Sequence, residues 1–175
     1  EPFVSGVDTK PPGANFYPPD MTAKEFEASS ILQPDLASMY TMVCRDSSGS
    51  LVAIPYHKFF SNQVQSAADK LRQAARLTNQ QSLQKYLNLR ADALLTDDYY
   101  ASDVAWMEMK DNTIDILIGP IETSADRLYG QKAAYAATIL IKDHHWSQRL
   151  SRYTQLLSHF QERLPISAAY KREQP

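Results

Sequence analysis

Between positions 60 and 94 the apolar residues fall at three- and four-residue intervals, and this periodicity limits the fold more than any other feature. Phe60, Val64, Ala67, Ala68, Leu71, Ala74 and Ala75 form one stripe, and Leu83, Leu87, Ala91 and Leu94 continue it after an interruption. Spacing of this kind lines one face of a helix and has to be buried against something else. Thr78 to Gln81 supplies a stop and a fresh cap, so two consecutive helices are expected. On both sides the period changes from 3.6 to 2. Met39 to Arg45 and Leu51 to Pro55 are β-type runs joined by Asp46 to Ser50, a Gly-containing connection of hairpin length. Further on, Ile114, Ile116 and Ile118 alternate with Asp115 and Leu117, as a strand requires. Helical and strand periods that segregate along one chain predict an α+β fold: a small, mainly antiparallel sheet of about four strands with several helices packed on it.

The remaining segments fit around that frame. The first twenty residues carry Pro2, Pro11, Pro12, Pro18 and Pro19, and are expected to form an extended arm, residues 1–20, that wraps over the body of the protein. Thr22 and Glu25 have the spacing of a capping box that opens a short helix through Ala28. Asp97 to Met109 should add a turn or two of helix. Asp111 and Asn112 read as a turn. Gly119 and Pro120 are expected to disturb the first strand at its end. Lys132 to Ile141 is the next strand candidate. Asp143 can cap a single five-turn helix whose face is Trp146, Leu150, Tyr153, Leu157, Phe160 and Leu164. Residues 21–165 are read as one α+β domain and 166–175 as a tail.

The totals exclude several functions. A chain of 175 residues with 43% hydrophobic residues can build a real core. Eighteen Lys and Arg against twenty Asp and Glu give a net charge of −2, which is not the basic footprint of a nucleic-acid binder. No apolar run approaches the roughly 20 residues needed to span a bilayer. Cys44 is the single cysteine, so an internal disulfide and a thiolate-rich metal site are both excluded. The chain opens at Glu1 with no signal segment, as after removal of a leader or trimming of the reading frame, and either the cytoplasm or the periplasm would suit it.

Few residues carry obvious chemistry. A helical zinc site needs two His one turn apart with a Glu beside them, but His57, His144, His145 and His159 offer no such pair and read as surface or capping residues. There is no Gly-x-Ser-x-Gly elbow, and the serines at 47, 48 and 50 belong to the hairpin turn. Cys44 lies within a strand and reads as an inert thiol. A Nudix-type pyrophosphatase would need a Gly followed by an ordered Glu and Arg run on a helix, and no such run occurs. Asp97, Asp98 and Asp103 cluster around Tyr99, Tyr100 and Trp106 and suit helix capping, while a two-carboxylate glycosidase reading has no support. Glu122 differs. It follows a nearly all-apolar strand and precedes a polar loop, where binding groups are often placed, and it could hold a cation such as a peptide amino terminus. An ordinary surface or salt-bridged Glu is the competing reading.

Four segments, taken in order, resemble one known family. They are Gly13-Ala-Asn-Phe-Tyr-Pro-Pro-Asp-Met-Thr22, Asp97-Asp-Tyr-Tyr-Ala-Ser-Asp-Val-Ala-Trp106, Asp115-Ile-Leu-Ile-Gly-Pro-Ile-Glu122 and Tyr129-Gly-Gln-Lys-Ala-Ala-Tyr135. Together they are similar to bacterial members of the dipeptidyl-peptidase III family of zinc metallopeptidases, from Gly13 to about Pro165. None is a catalytic signature by itself, and the weight lies in their collinearity. The resemblance implies a protein much longer than this chain, with two lobes around a cleft. It also implies a zinc helix of the His-Glu-x-x-x-His type downstream and absent here. The chain then corresponds to an N-terminal fragment that holds no cofactor of its own, with zinc expected in the full-length protein. Its implied partners are the C-terminal remainder of the polypeptide and a peptide substrate, with no nucleic acid and no membrane span.

The resemblance also implies roles for single residues. The strand edge with Gly119 lines the peptide cleft, and Glu122 helps hold the substrate's free amino terminus. Family members commonly carry a Tyr two residues after this Glu to assist at the reacting carbonyl. Here that position is Ser124, which is too short for the same task, and Tyr129 is a possible replacement. The expected function is therefore one wall of a peptide-binding cleft in a zinc-dependent dipeptidyl peptidase, with this chain inactive alone. A non-enzymatic binding or scaffold module is the first rival. A small enzyme in which Asp97, Asp103 and Glu122 converge is the second.

Overall fold

A computed structural model describes residues 10–110 and 112–171. In chain order the elements are α1 (Ala23–Leu32), β1 (Thr41–Arg45), β2 (Leu51–Pro55), α2 (Tyr56–Phe59), α3 (Ser61–Leu77), α4 (Gln81–Thr96), α5 (Tyr100–Glu108), β3 (Ile114–Glu122), β4 (Ala134–Ile141), α6 (His144–Thr154) and α7 (Leu157–Arg163). Short 3₁₀ turns cover Pro34–Ala37 and Ala168–Lys171. The expected α+β class and the four strands are present, and the strands divide into two antiparallel pairs, β1 with β2 and β3 with β4.

The chain separates into two compact units. One consists of Glu1–Asn112 with Ile116–Ile139, the other of Thr113–Asp115 with Leu140–Pro175. In the first unit the helical stripe is buried as its period requires: Val64, Ala68, Leu71 and Ala75 of α3 pack with Leu83, Leu87, Ala91 and Leu94 of α4. Tyr86 joins this core, and its hydroxyl donates to the Ile116 carbonyl at 2.6 Å, fastening α4 to β3. A second core gathers Phe16, Tyr17, Phe26, Leu36, Met42, Val43, Leu51 and Tyr56.

Local signals explain most boundaries. Thr22 and Glu25 form the reciprocal capping box at the start of α1, which runs one turn past Ala28. The β1–β2 hairpin pairs Thr41 with Pro55 and Arg45 with Leu51. Its turn closes on Asp46, whose carboxylate accepts from the Ser48 and Ser50 amides at 2.8 and 2.9 Å.

Local expectations at the two ends of the chain need correction. The described part of the Pro-rich stretch forms turns instead of running extended. Ala14 and Asn15 take positive φ, the Ala14 and Phe16 amides bond back to Pro11 and Gly13, and the chain tucks Phe16 and Tyr17 into the core. Pro2 lies outside the described residues. The expected five-turn helix after Asp143 is two helices, because the Leu156 amide bonds to the Tyr153 carbonyl, an i to i−3 contact that tightens and ends α6. Asp143 does cap α6, its carboxylate accepting from the Trp146 amide at 3.0 Å.

Candidate functional site

The end of β3 is shaped from below by a buried cation. Arg90 of α4 is buried, with its guanidinium carbon 5.4 Å from the Tyr86 ring centre and 5.2 Å from that of Tyr99. One of its nitrogens donates to the Asp103 carboxylate. Gly119 lies directly on this group. Its φ is +146°, and a Cβ added there would stand 3.3 Å from both the Arg90 guanidinium and the Tyr99 ring. A side chain would be strained by the backbone angle and would press on the cation.

Gly119 and Pro120 are both buried, and β3 continues through them to Glu122 instead of breaking. Among the described residues β3 pairs with β4 alone, and edge strands of this kind tolerate a proline. Beyond Pro120 the chain emerges, and Ile121, Glu122 and Ser124 are exposed. The Glu122 carboxylate turns back and accepts from the Ser124 amide at 2.7 Å. The Ser124 side chain, then its amide, then the charge of Lys10 hold this carboxyl below its ordinary value, so it is an anion at neutral pH.

The loop after β3 is built around a residue that the sequence did not single out. Asp126 is buried, and its carboxylate accepts from the Tyr17 hydroxyl at 2.7 Å and from the amides of Leu128, Tyr129, Gln131 and Lys132. Burial alone would raise its pKa, but the hydrogen bonds outweigh it and the group is held below its ordinary value. Beside it Lys132 is fully buried, donating to the carbonyls of Leu36 and Ser38 and to the Thr41 hydroxyl at 2.7 to 2.8 Å. Loss of water brings its pKa down to about 8 in spite of the Asp126 charge. Tyr129 stacks on Phe26 at 4.4 Å and meets Tyr17 edge-on, so its ring is held in an aromatic cluster. The only advance signal was Asp126 ahead of Tyr129 and Gly130, a pattern that favours a side-chain-capped turn.

The other acids have structural partners. Asp97 ends α4 in the left-handed conformation, and its carboxylate accepts from the His57 amide at 3.1 Å and pairs with the His57 ring at 2.8 Å. Asp98 accepts from the Tyr100 amide, and Asp103 serves Arg90. This removes the support for a catalytic convergence of Asp97, Asp103 and Glu122. His144, His145 and His159 are exposed on α6 and α7. Cys44 is half-buried in β1, and burial raises its pKa. Among the described residues no three His, Cys, Asp or Glu gather as a metal site, and His57 is already committed to Asp97. These residues do not fit a zinc ion. An apolar cavity of about 470 Å³ is lined by Phe16, Phe60, Val64, Leu94, Ile118 and Tyr135, among others.

The described site is thus a shaped strand end that feeds an exposed anion on an α+β body. Two solved proteins are similar to the chain over 97% of its length. They are dipeptidyl-peptidase III from Caldithrix abyssi, 44% identical with a TM-score of 0.83, and dipeptidyl-peptidase III from Corallococcus sp. strain EGB, 37% identical with a TM-score of 0.76. The chain covers 33% and 32% of those two proteins, respectively. Among curated proteins, 93% of the chain matches 24% of Nudix hydrolase 3 from Arabidopsis thaliana, with 35% identity over 189 residues. No protein-family model matches. The chain is thus a member of the dipeptidyl-peptidase III-like family over the third of those enzymes that it spans, and forms a domain of such a protein.

Proposed function

We propose that this domain supplies one wall of a peptide-binding cleft and that Glu122 receives the free amino terminus of the peptide. The observation that carries the reading is an ionised, exposed carboxylate at the end of a strand whose direction is fixed by Gly119 seated on Arg90 and Tyr99. An ammonium group docking there exchanges hydration for a charge-assisted hydrogen bond. The neighbouring apolar cavity, which reaches Ile118, has room for an apolar side chain of the same peptide. Zinc chemistry, on this reading, belongs to the part of the protein outside this chain, and no step of it is assigned to residues here.

Ser124 supports a second reading, a binding module without peptidase chemistry. Its amide and side chain are both turned to Glu122, and it stands where the family resemblance implies a longer tyrosine. The Nudix name attaches to a protein of which this chain matches about a quarter. This chain holds no ordered Glu and Arg helix, so pyrophosphate hydrolysis is not assigned to it.

Glu122→Gln in the longer parent protein tests the peptide reading. Removing the charge should weaken binding of unblocked peptides by about tenfold to a hundredfold, the worth of one hydrogen bond to a charged group. N-acetylated peptides should bind equally to both proteins. If the variant still prefers unblocked peptides as the wild type does, Glu122 is not the receptor. Turnover of unblocked peptides by the wild type would exclude the module reading.

A further inference from the structure

α6 and α7 bury none of their side chains. Their apolar residues nevertheless recur with helical spacing, and Trp146, Leu150 and Tyr153 on α6 with Leu157 and Phe160 on α7 are 43 to 61% exposed. The Arg149 guanidinium lies 4.4 Å from the Trp146 ring centre, and the ring is still 53% exposed. An amphipathic helix of 11 residues is too short to be stable through its own propensity, because isolated helices below about 12 to 15 residues are marginal in water. Its stability has to come from packing of the apolar face. An exposed patch of this kind marks a contact surface.

The relatives are longer than this chain, so further polypeptide is available to cover it. They align with 97% of this chain and extend over about three times its length. We propose that the α6–α7 apolar face is an intramolecular docking seam, covered by a further part of the same polypeptide. That covering part would present an apolar surface with carboxylates at its rim. α6 carries Arg149 and Arg152 and no acidic residue, so an acidic rim would complement it. The inference rests on the family relationship and not on the role given to Glu122.

Hydroxyl-radical footprinting read by mass spectrometry tests it, on the 175-residue chain and on the longer parent. Labelling of Trp146, Tyr153 and Phe160 should fall by about fivefold or more in the parent, as for side chains in the dry centre of an interface. A Leu150→Asp, Phe160→Asp double variant should leave the melting of the short chain unchanged, since both side chains are exposed there, and should lower that of the parent. Equal labelling in the two proteins overturns the proposal, as does a parent frame that ends at Pro175. Protection in the short chain that grows with its own concentration assigns the face to a second copy. Protection that needs anionic vesicles assigns it to lipid. Either result overturns the intramolecular seam.

Discussion

Asp126 accepts a hydrogen bond from the Tyr17 hydroxyl at 2.7 Å across 109 positions of sequence, and this bond closes the β3–β4 loop onto the N-terminal segment. The same carboxylate also receives four loop amides, so its removal leaves several buried donors without an acceptor at once. Asp126→Ala should cost about 3 kcal/mol or more, and Tyr17→Phe about 1 kcal/mol, because the second change removes one donor and leaves the amides bonded. Urea unfolding with an unchanged m-value checks the order. Equal losses would mean that the amides are not held through Asp126. Since its pKa is depressed on folding, Asp126 contributes stability that is complete above the ordinary carboxylate range and is lost as pH falls through the folded value.

Lys132 gives the opposite end of the pH range its own signature. Its pKa falls from 10.5 to about 8 on folding. Between those values the unfolded chain holds a proton that the folded chain has released, so stability rises with pH across that window. Tyr17, Tyr56 and Tyr99 work the other way. Burial raises their pKa values, so above about pH 10 the unfolded chain loses phenolic protons that the folded chain keeps, and stability falls. Stability should therefore climb from pH 8, reach a maximum near pH 10 and then drop. Denaturant titrations at pH 7, 9, 10 and 11 measure the curve. Lys132→Met should abolish the climb and keep the drop, and a climb that survives in the variant would exclude Lys132 as its source.

Two glycines with positive φ separate backbone strain from crowding. Gly49, at φ +84°, has nothing within 4 Å of an added Cβ, whereas Gly119, at φ +146°, would place one 3.3 Å from Arg90 and Tyr99. Gly49→Ala should cost about 1 kcal/mol from the backbone alone. Gly119→Ala should cost about 2 to 3 kcal/mol, adding the displaced Arg90 group to that strain. Thermal melts of the two variants compare them directly, and equal losses would show that Arg90 yields freely and does not fix the strand end.

What the sequence made legible was whatever repeats or sits locally. The α3 and α4 stripes, the Thr22–Glu25 box, the hairpin around Asp46 and the Asp143 cap each depend on spacings of a few residues, and each is found in the structure. Residues whose role depends on distant partners could not be read in this way. Lys132 is buried because carbonyls of Leu36 and Ser38 converge on it across more than ninety positions, and nothing near Lys132 foretells that. Arg90 occupies the helical stripe as a charge because two tyrosines and Asp103 surround it. The split of α6 from α7 has no local signal, because the apolar spacing continues across Gln155 and Leu156. Glu122 was legible through position alone, as a polar residue after an apolar strand. Its bond to the Ser124 amide emerged only with the fold.

The 175-residue chain by itself should neither retain zinc nor release dipeptides from a peptide arylamide. The described histidines and acids do not assemble three potential ligands in one place. Structural zinc sites need four such groups, and catalytic sites need three together with an open position. A single His paired to one Asp, as in His57 with Asp97, binds divalent metal weakly and in competition with its own hydrogen bond. After dialysis against a weak chelator, metal analysis should return far less than one zinc per chain, and arylamide hydrolysis should match the buffer blank. The longer parent protein, if it is the peptidase that its relatives' names indicate, should show both properties under the same conditions. Stoichiometric zinc with chelator-sensitive hydrolysis in the purified short chain would place the whole active centre within these residues and overturn the division of labour proposed above. Zinc without hydrolysis would point to an adventitious His site, which His144→Ala with His145→Ala should remove.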